Sequence, residues 1–311
     1  MREGAISVAG TGAQGAAAPK EESLFKSDSM PLALILSSHV ASSRVGGFVQ
    51  ALALSQLKID PVMAPTVLFG RHPGWGAPGG AMVDPAVFQG VLDGVEANGL
   101  FGAADVVITG YMPSPEHVAA AAKAIDAVRA ADRSGAYASR PRVIIDPVMG
   151  DEGRGLYVPP EVAEAIAADL VPRADLVTPN AWELERLTGA PVREPADARN
   201  AARLLGKAAL VSSVPHGEET GAVYADHHEA WYAAHPRLSH APKGSGDLLA
   251  ALFAAAMVED QPMSYALARA VGGVFETILA AQAWGASELP VVAVGAKIRQ
   301  VSPGVRIERL S

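Results

Sequence analysis

From residue 31 onward the chain alternates between two apolar rhythms. Short aliphatic runs occur at 32–36 (LALIL), 62–69 (VMAPTVLF), 105–109 (DVVIT), 142–146 (RVIID), 175–178 (DLVT) and 209–213 (ALVSS). Runs this short, rich in Val and Ile, predict buried strands. Between them lie stretches of helical period at 115–131, 159–169, 181–188 and 195–206. Strands alternating with helices predict a largely parallel sheet covered on both faces. The segment AVYADHHEAWYA, 222–233, alternates with period two around a polar turn and predicts an antiparallel hairpin at the sheet edge. Two long helices follow over 247–283, split near EDQP. No repeat or linker divides the pattern. The expected fold is a three-layer α/β sandwich, one domain over 30–311, preceded by a flexible extension over 1–29.

That extension contains GTGAQG, Gly10 to Gly15, which matches a dinucleotide-binding spacing. Such a match needs a strand before it and a helix after it. Here AISVA is a poor strand, and a proline with mixed charges follows. The region is also too rich in glycine and polar residues to read as a signal peptide.

In open α/β sheets ligands bind beyond the carboxyl ends of the strands, so the residues after each apolar run carry the functional reading. They are SSHV (37–40), GRHPGWGAPGG (70–80), GYM (110–112), DPVMGDEGRGLYV (146–158), TPNAWELERLTG (178–189) and SSVPHG (212–217). In the fourth, Asp146 and Asp151 are two close carboxylates, a pairing that favours a nearby cation. Glycines and Arg154 in the same loop suit a mobile cover over phosphates. In the fifth, Asn180 and Glu183 stand three apart at a helix start. That spacing fits a capping box equally with a role in organising water around a divalent metal.

The stretch APKGSGDLLAALFAAAM, 241–257, puts Gly244, Ser245 and Gly246 ahead of a helix that is apolar on every face. Backbone N–H groups at such a terminus form an anion site, suited to charge on a transferring phosphoryl group. Asp247 in the first turn either stabilises the helix or handles the proton of an attacking hydroxyl. No Walker-type phosphate loop is present. A formal net charge of −8 argues against a nucleic-acid partner. The absence of cysteine excludes disulfides, thiolate metal sites and thiol nucleophiles. No apolar run is long enough to span a bilayer, and a cytoplasmic protein with no membrane partner is expected.

KGSGDLLAALF, DPVMGDEGRGLYV and TPNAWELERLTG together resemble the ribokinase-like superfamily, and within it the pyridoxal kinases; SSHV, TVLFGRH and TGYM add to the likeness, which covers 31–303. The resemblance implies transfer of the ATP γ-phosphate to the 5′-hydroxymethyl group of pyridoxal, pyridoxine or pyridoxamine. It implies that Asp247 is the catalytic base and that Gly244, Ser245 and Gly246 form the anion hole. Asp146, Asp151, Thr178 and Glu183 would belong to a network of Mg²⁺, a monovalent cation such as K⁺, and phosphate. Asn180, Ser212 and the shielding Tyr157 would also bind ATP. Ser38, Val40, Thr66, His72 and Tyr111 would line the vitamer pocket. Ser43, Gly47, Gly70, Arg71 and Ser245 depart from the family pattern, and those in the first two loops bear on which vitamer is preferred.

Other readings compete. Hydroxymethylpyrimidine kinases of the same fold typically carry a cysteine directly after the glycine turn, where this chain has Asp247. A non-catalytic vitamer-binding protein would have no need of Asp247 with its anion hole and acids. A sugar kinase would usually need room for a small lid of strands, which the first 80 residues do not leave. A homodimer through alanine-rich helices near the start competes with their packing on the sheet.

Overall fold

A computed structural model describes residues 30–133 and 136–311. The extension over 1–29, with its GTGAQG motif, lies outside the described residues. The strands are β1 (Leu32–Val40), β2 (Asp60–Phe69), β3 (Gly80–Met82), β4 (Ala104–Thr109), β5 (Arg142–Ile145), β6 (Gly150–Asp151), β7 (Gly155–Leu156), β8 (Leu176–Val177), β9 (Ala208–His216), β10 (Glu219–Ala225), β11 (Ala230–Pro236) and β12 (Arg306–Arg309). The helices are α1 (Gly46–Gln56), α2 (Pro85–Ala97), α3 (Leu100–Ala103), α4 (Pro115–Ala130), α5 (Pro160–Ala165), α6 (Ala181–Thr188), α7 (Pro195–Leu205), α8 (Ser245–Val258) and α9 (Met263–Trp284).

Among the described residues one sheet of ten strands runs in the order β12-β11-β10-β9-β8-β5-β4-β1-β2-β3, with β6 and β7 forming a separate small hairpin. The six predicted runs are its parallel centre, β2-β1-β4-β5-β8-β9. Their burial on both faces explains their continuous apolar sequence. The predicted antiparallel hairpin is β10–β11. It is not the edge of the sheet: β12 pairs with β11 outside it, and β3 closes the opposite side. Both edge strands are short, and their sequences, GAM and RIER, carry too little pattern to be read as strands.

Helices α1, α8 and α9 pack their apolar residues against one face of the sheet. Helices α2, α4 and α5 cover the other face, while α6 and α7 pack over β9–β11. Proline occupies the first turn of α2, α4, α5 and α7, where no intrahelical N–H partner is lost. Helix α8 is buried on nearly all sides, from Leu248 through Ala256, because it lies between α1 and α9 and also touches β4 and β5. Its all-round apolar sequence therefore fixes its N-terminus, and Asp247 with it, beneath the carboxyl ends of the central strands.

Candidate active site

The carboxyl ends of the parallel strands open into one cavity of about 1230 Å³. From the first strand come Ser38 and Val40. The β1–β2 register slips between Ser37 and His39, a bulge at the position of Ser38. The loop after β2 contributes His72 and Trp75, and the segment after β4 contributes Tyr111. Asp146, Val148 and Gly150 enter after β5, followed by Asp151, Arg154 and Tyr157 on the β6–β7 hairpin. Thr178, Asn180 and Glu183 enter after β8, and Ser212 and Ser213 from β9. Gly244, Ser245, Gly246 and Asp247 close the floor. The strand-end reading therefore brings together every proposed site residue except Thr66. Thr66 is fully buried, does not line the cavity, and donates its hydroxyl to the Tyr111 carbonyl at 2.7 Å. Its link to the site runs through Tyr111.

At the floor, Gly244 has φ +90°, and a Cβ there would lie 2.1 Å from the Arg44 carbonyl oxygen. Only glycine combines that backbone with that approach. No side chain caps α8, so its first N–H groups face the cavity end without an intrahelical partner. Burial raises Asp247 to about 6, and the Gly46 amide that hydrogen-bonds its carboxylate opposes the rise. Asp146, only 8 % exposed, is pushed well above the ordinary carboxyl value by burial, then by the negative fields of Asp247 and Glu183. Asp146 is also the less exposed of the two carboxyls. The Thr178 hydroxyl lies close enough to favour a charged Asp146, but it is buried and makes no well-formed hydrogen bond.

Asn180 and Glu183 form a complete capping box on α6. Asn180 Oδ1 accepts the Glu183 N–H at 2.8 Å, and Glu183 Oε2 accepts the Asn180 N–H at 2.9 Å. Glu183 Oε1 also accepts from the Met149 and Gly150 amides at 2.7 and 3.2 Å. Burial pushes Glu183 up to about 7 against these three backbone donors. Both residues line the cavity, and their side-chain polar atoms are engaged by protein partners there.

Around the mouth, His72 Nδ1 accepts the Gly74 N–H at 2.9 Å, which places a neutral ring's proton on Nε2. Burial first, then Lys243 and Arg154, lower the His72 pKa. Tyr157 is pushed up to about 12, mainly by burial and then by Asp151. Burial also raises Tyr111. Several features escape sequence reading. Val148 has φ +37° and Ser213 φ +60°, both in the left-handed region without being glycine. Leu249, Val271, Val274 and Ile278 give the cavity an apolar end from α8 and α9. Helix interiors carry no turn signal, so their contribution is not apparent from sequence. Lys243 gives a plainer hint, a cation directly before the glycine turn.

A family model described as phosphomethylpyrimidine kinase matches residues 105–292, more than half of the chain. A pyridoxal kinase of Deinococcus radiodurans is 34% identical over 276 residues, covering 84% of this chain and 90% of the relative. One of Leifsonia xyli subsp. xyli is 34% identical over 269 residues, covering 83% and 92%. The chain belongs to the pyridoxal kinase family. Among solved structures, the pyridoxal kinase from Leishmania donovani in complex with ADP and pyridoxine superposes with a TM-score of 0.83 at 26% identity, covering 90% of this chain and 99% of that one. Membership of the pyridoxal kinases matches the mostly parallel sheet with antiparallel edges. A phosphomethylpyrimidine kinase structure from Bacteroides thetaiotaomicron, 20% identical with a TM-score of 0.80, shares the fold. No described helix is long and apolar enough to cross a membrane.

Proposed function

We propose that this chain transfers the γ-phosphoryl group of ATP to the 5′-hydroxymethyl group of pyridoxal, pyridoxine or pyridoxamine. The observation that carries the reading is the pairing of Asp247 with the uncapped N-terminus of α8 on the cavity floor. The substrate hydroxyl gives its proton to the Asp247 carboxylate as its oxygen attacks the γ-phosphorus. The new O–P bond forms, the bond to the β-phosphate oxygen breaks, and ADP leaves. A base near 6 is ionised at neutral pH yet still basic enough to accept that proton. The α8 N–H groups meet the charge on the phosphoryl oxygens, which in a loose transition state supplies much of the catalysis.

The apolar end formed by Leu249, Val271, Val274 and Ile278 suits the adenine base. His72, Tyr111, Ser38 and Val40 at the other end suit the pyridine ring. A hard cation such as Mg²⁺ fits the donors present. Among the described residues no three acidic or histidine side chains converge into a complete metal site. Mg²⁺ is usually held by one or two carboxylates and completed by substrate phosphates and water. Asp146, repelled by two other carboxylates and beside the unpartnered Thr178 hydroxyl, would hold it together with Asp151. When bound, such a cation would neutralise phosphate charge.

A hydroxymethylpyrimidine kinase is the second reading, favoured by the description of the matching family model. Asp247 directly after the glycine turn and the absence of cysteine weigh against it. A phosphorylation assay with ATP and Mg²⁺ across the three B6 vitamers and hydroxymethylpyrimidine decides between them. Turnover of hydroxymethylpyrimidine alone would overturn the first reading, and ATP-independent vitamer binding without turnover would overturn both.

A further inference from the structure

The first turn of α6 grips Gly150 by every group that residue has. Its N–H donates to Glu183 Oε1 at 3.2 Å, and its carbonyl accepts from Asn180 Nδ2 at 2.8 Å. Its Cα lies against Trp182: a Cβ there would be 2.5 Å from the Trp182 ring and 2.3 Å from the Gly155 carbonyl. Glu183 Oε1 also holds the neighbouring Met149 N–H at 2.7 Å. Immediately upstream, Val148 sits at φ +37°. The other non-glycine residues with positive φ among those described are Lys58, Ser213 and Asp260, and none of them is β-branched. A branched side chain persists in that region only where its surroundings over-determine the backbone. The turn so held has Asp146 before it and Asp151 after it.

We propose that Glu183 is a positioning residue, whose carboxylate holds the strained turn at 147–150 and thereby sets Asp146 and the β6–β7 hairpin against Asp247. Its two oxygens accept three backbone N–H bonds, from Met149, Gly150 and Asn180. A carboxylate is acceptor-only and can do this, whereas a glutamine must turn its NH₂ toward at least one of those donors. The kinetic part of the proposal rests on the kinase reading above; the structural part does not.

The test is a cycle of Glu183→Gln, Val148→Gly and the double variant in the full chain. Hydrogen exchange of the 147–157 segment is followed without ligand. Turnover of pyridoxal is followed at varied Mg²⁺. In Glu183→Gln the segment should exchange faster than in the parent. Its kcat/KM should fall on the order of 10²-fold, as expected when reacting groups are displaced by about an ångström. The Mg²⁺ concentration for half-maximal rate should rise along with this loss, because Asp146 and Asp151 flank the loosened turn, and should return toward the parent's in the double variant. Glycine adopts φ +37° without strain, so the double variant should recover at least roughly tenfold of that loss. Losses that simply multiply would overturn the proposal. So would unchanged exchange combined with a Mg²⁺ requirement raised about tenfold, the result expected if Glu183 serves a cation instead. If Glu183→Gln fails to fold, folding of the double variant supports the proposal, and failure of both overturns it. A parent inactive on every vitamer would refute the kinase reading while leaving the exchange result to stand.

Discussion

Replacing Asp247 by Asn removes a charge and keeps the shape, and the structure makes opposite demands on rate and stability. The variant cannot accept the substrate proton, so kcat should fall by ~10²–10⁴, the usual contribution of a general base. The Gly46 N–H that now bonds the carboxylate can bond the amide oxygen equally well, so the fold should survive. The ionised form of Asp247 is disfavoured in the folded chain, since burial raises its pKa from 3.8 to about 6. At about 1.36 kcal/mol for each tenfold change that is roughly 3 kcal/mol at most. Asp247 retains some solvent exposure, which reduces the figure to ~1–2 kcal/mol. A carboxyl with a raised folded pKa gives stability that is complete below about pH 4 and lost as pH rises through about 6. Asparagine carries no such dependence. The variant should therefore match the parent at pH 4 and exceed it by ~1–2 kcal/mol above pH 6–7, a gain enlarged by relief of Asp146. Denaturant melts of the ligand-free proteins from pH 4 to 8, beside steady-state rates with MgATP and pyridoxal, measure both. Turnover within a few-fold of the parent would make Asp247 a helix-stabilising acid. A stability difference independent of pH would refute the cost of burying an ionised Asp247.

Three further outcomes are expected. Gly244→Ala would force a Cβ to within 2.1 Å of the Arg44 carbonyl at φ +90°, so it should destabilise the chain by more than ~1 kcal/mol and abolish most activity, as a melt and a rate assay would show. His72→Ala should raise KM for pyridoxal with a smaller effect on kcat, the signature of lost uniform binding; an unchanged KM for every vitamer would remove His72 from the substrate pocket. A chain beginning at Met30 should keep the activity and melting temperature of the full chain, because residues 1–29 carry no periodic apolar face; loss of either would show that the extension belongs to the working domain.

The sequence was sufficient wherever a local rule had to be obeyed. Two-sided burial forces continuous apolar runs, so the six central strands were legible to within a few residues. An amphipathic pattern with Asn180 ahead of it placed α6 at 181–188, because capping is a local hydrogen-bond requirement. Ligands gather at strand ends in parallel sheets, so Asp146 and Thr178 could be grouped from sequence, while Asp247 stood out by its place after the glycine turn at 244–246. Tertiary structure decided what depends on which partner a side chain meets. Thr66 looks like a pocket hydroxyl and instead spends its proton on the Tyr111 carbonyl. Glu183 fits both a cap and a cation site in sequence, and only the arrival of Met149 and Gly150 from another loop commits its oxygens. Val148 has no sequence mark of strain, since nothing in DPVMG says that a branched residue must take a positive φ. The edge strands β3 and β12 were invisible because a strand of three or four residues is specified by the neighbour it pairs with, not by its own pattern. Local chemistry thus fixed the central strands and the helix starts beside them, while long-range packing fixed the sheet edges and how each polar group is used.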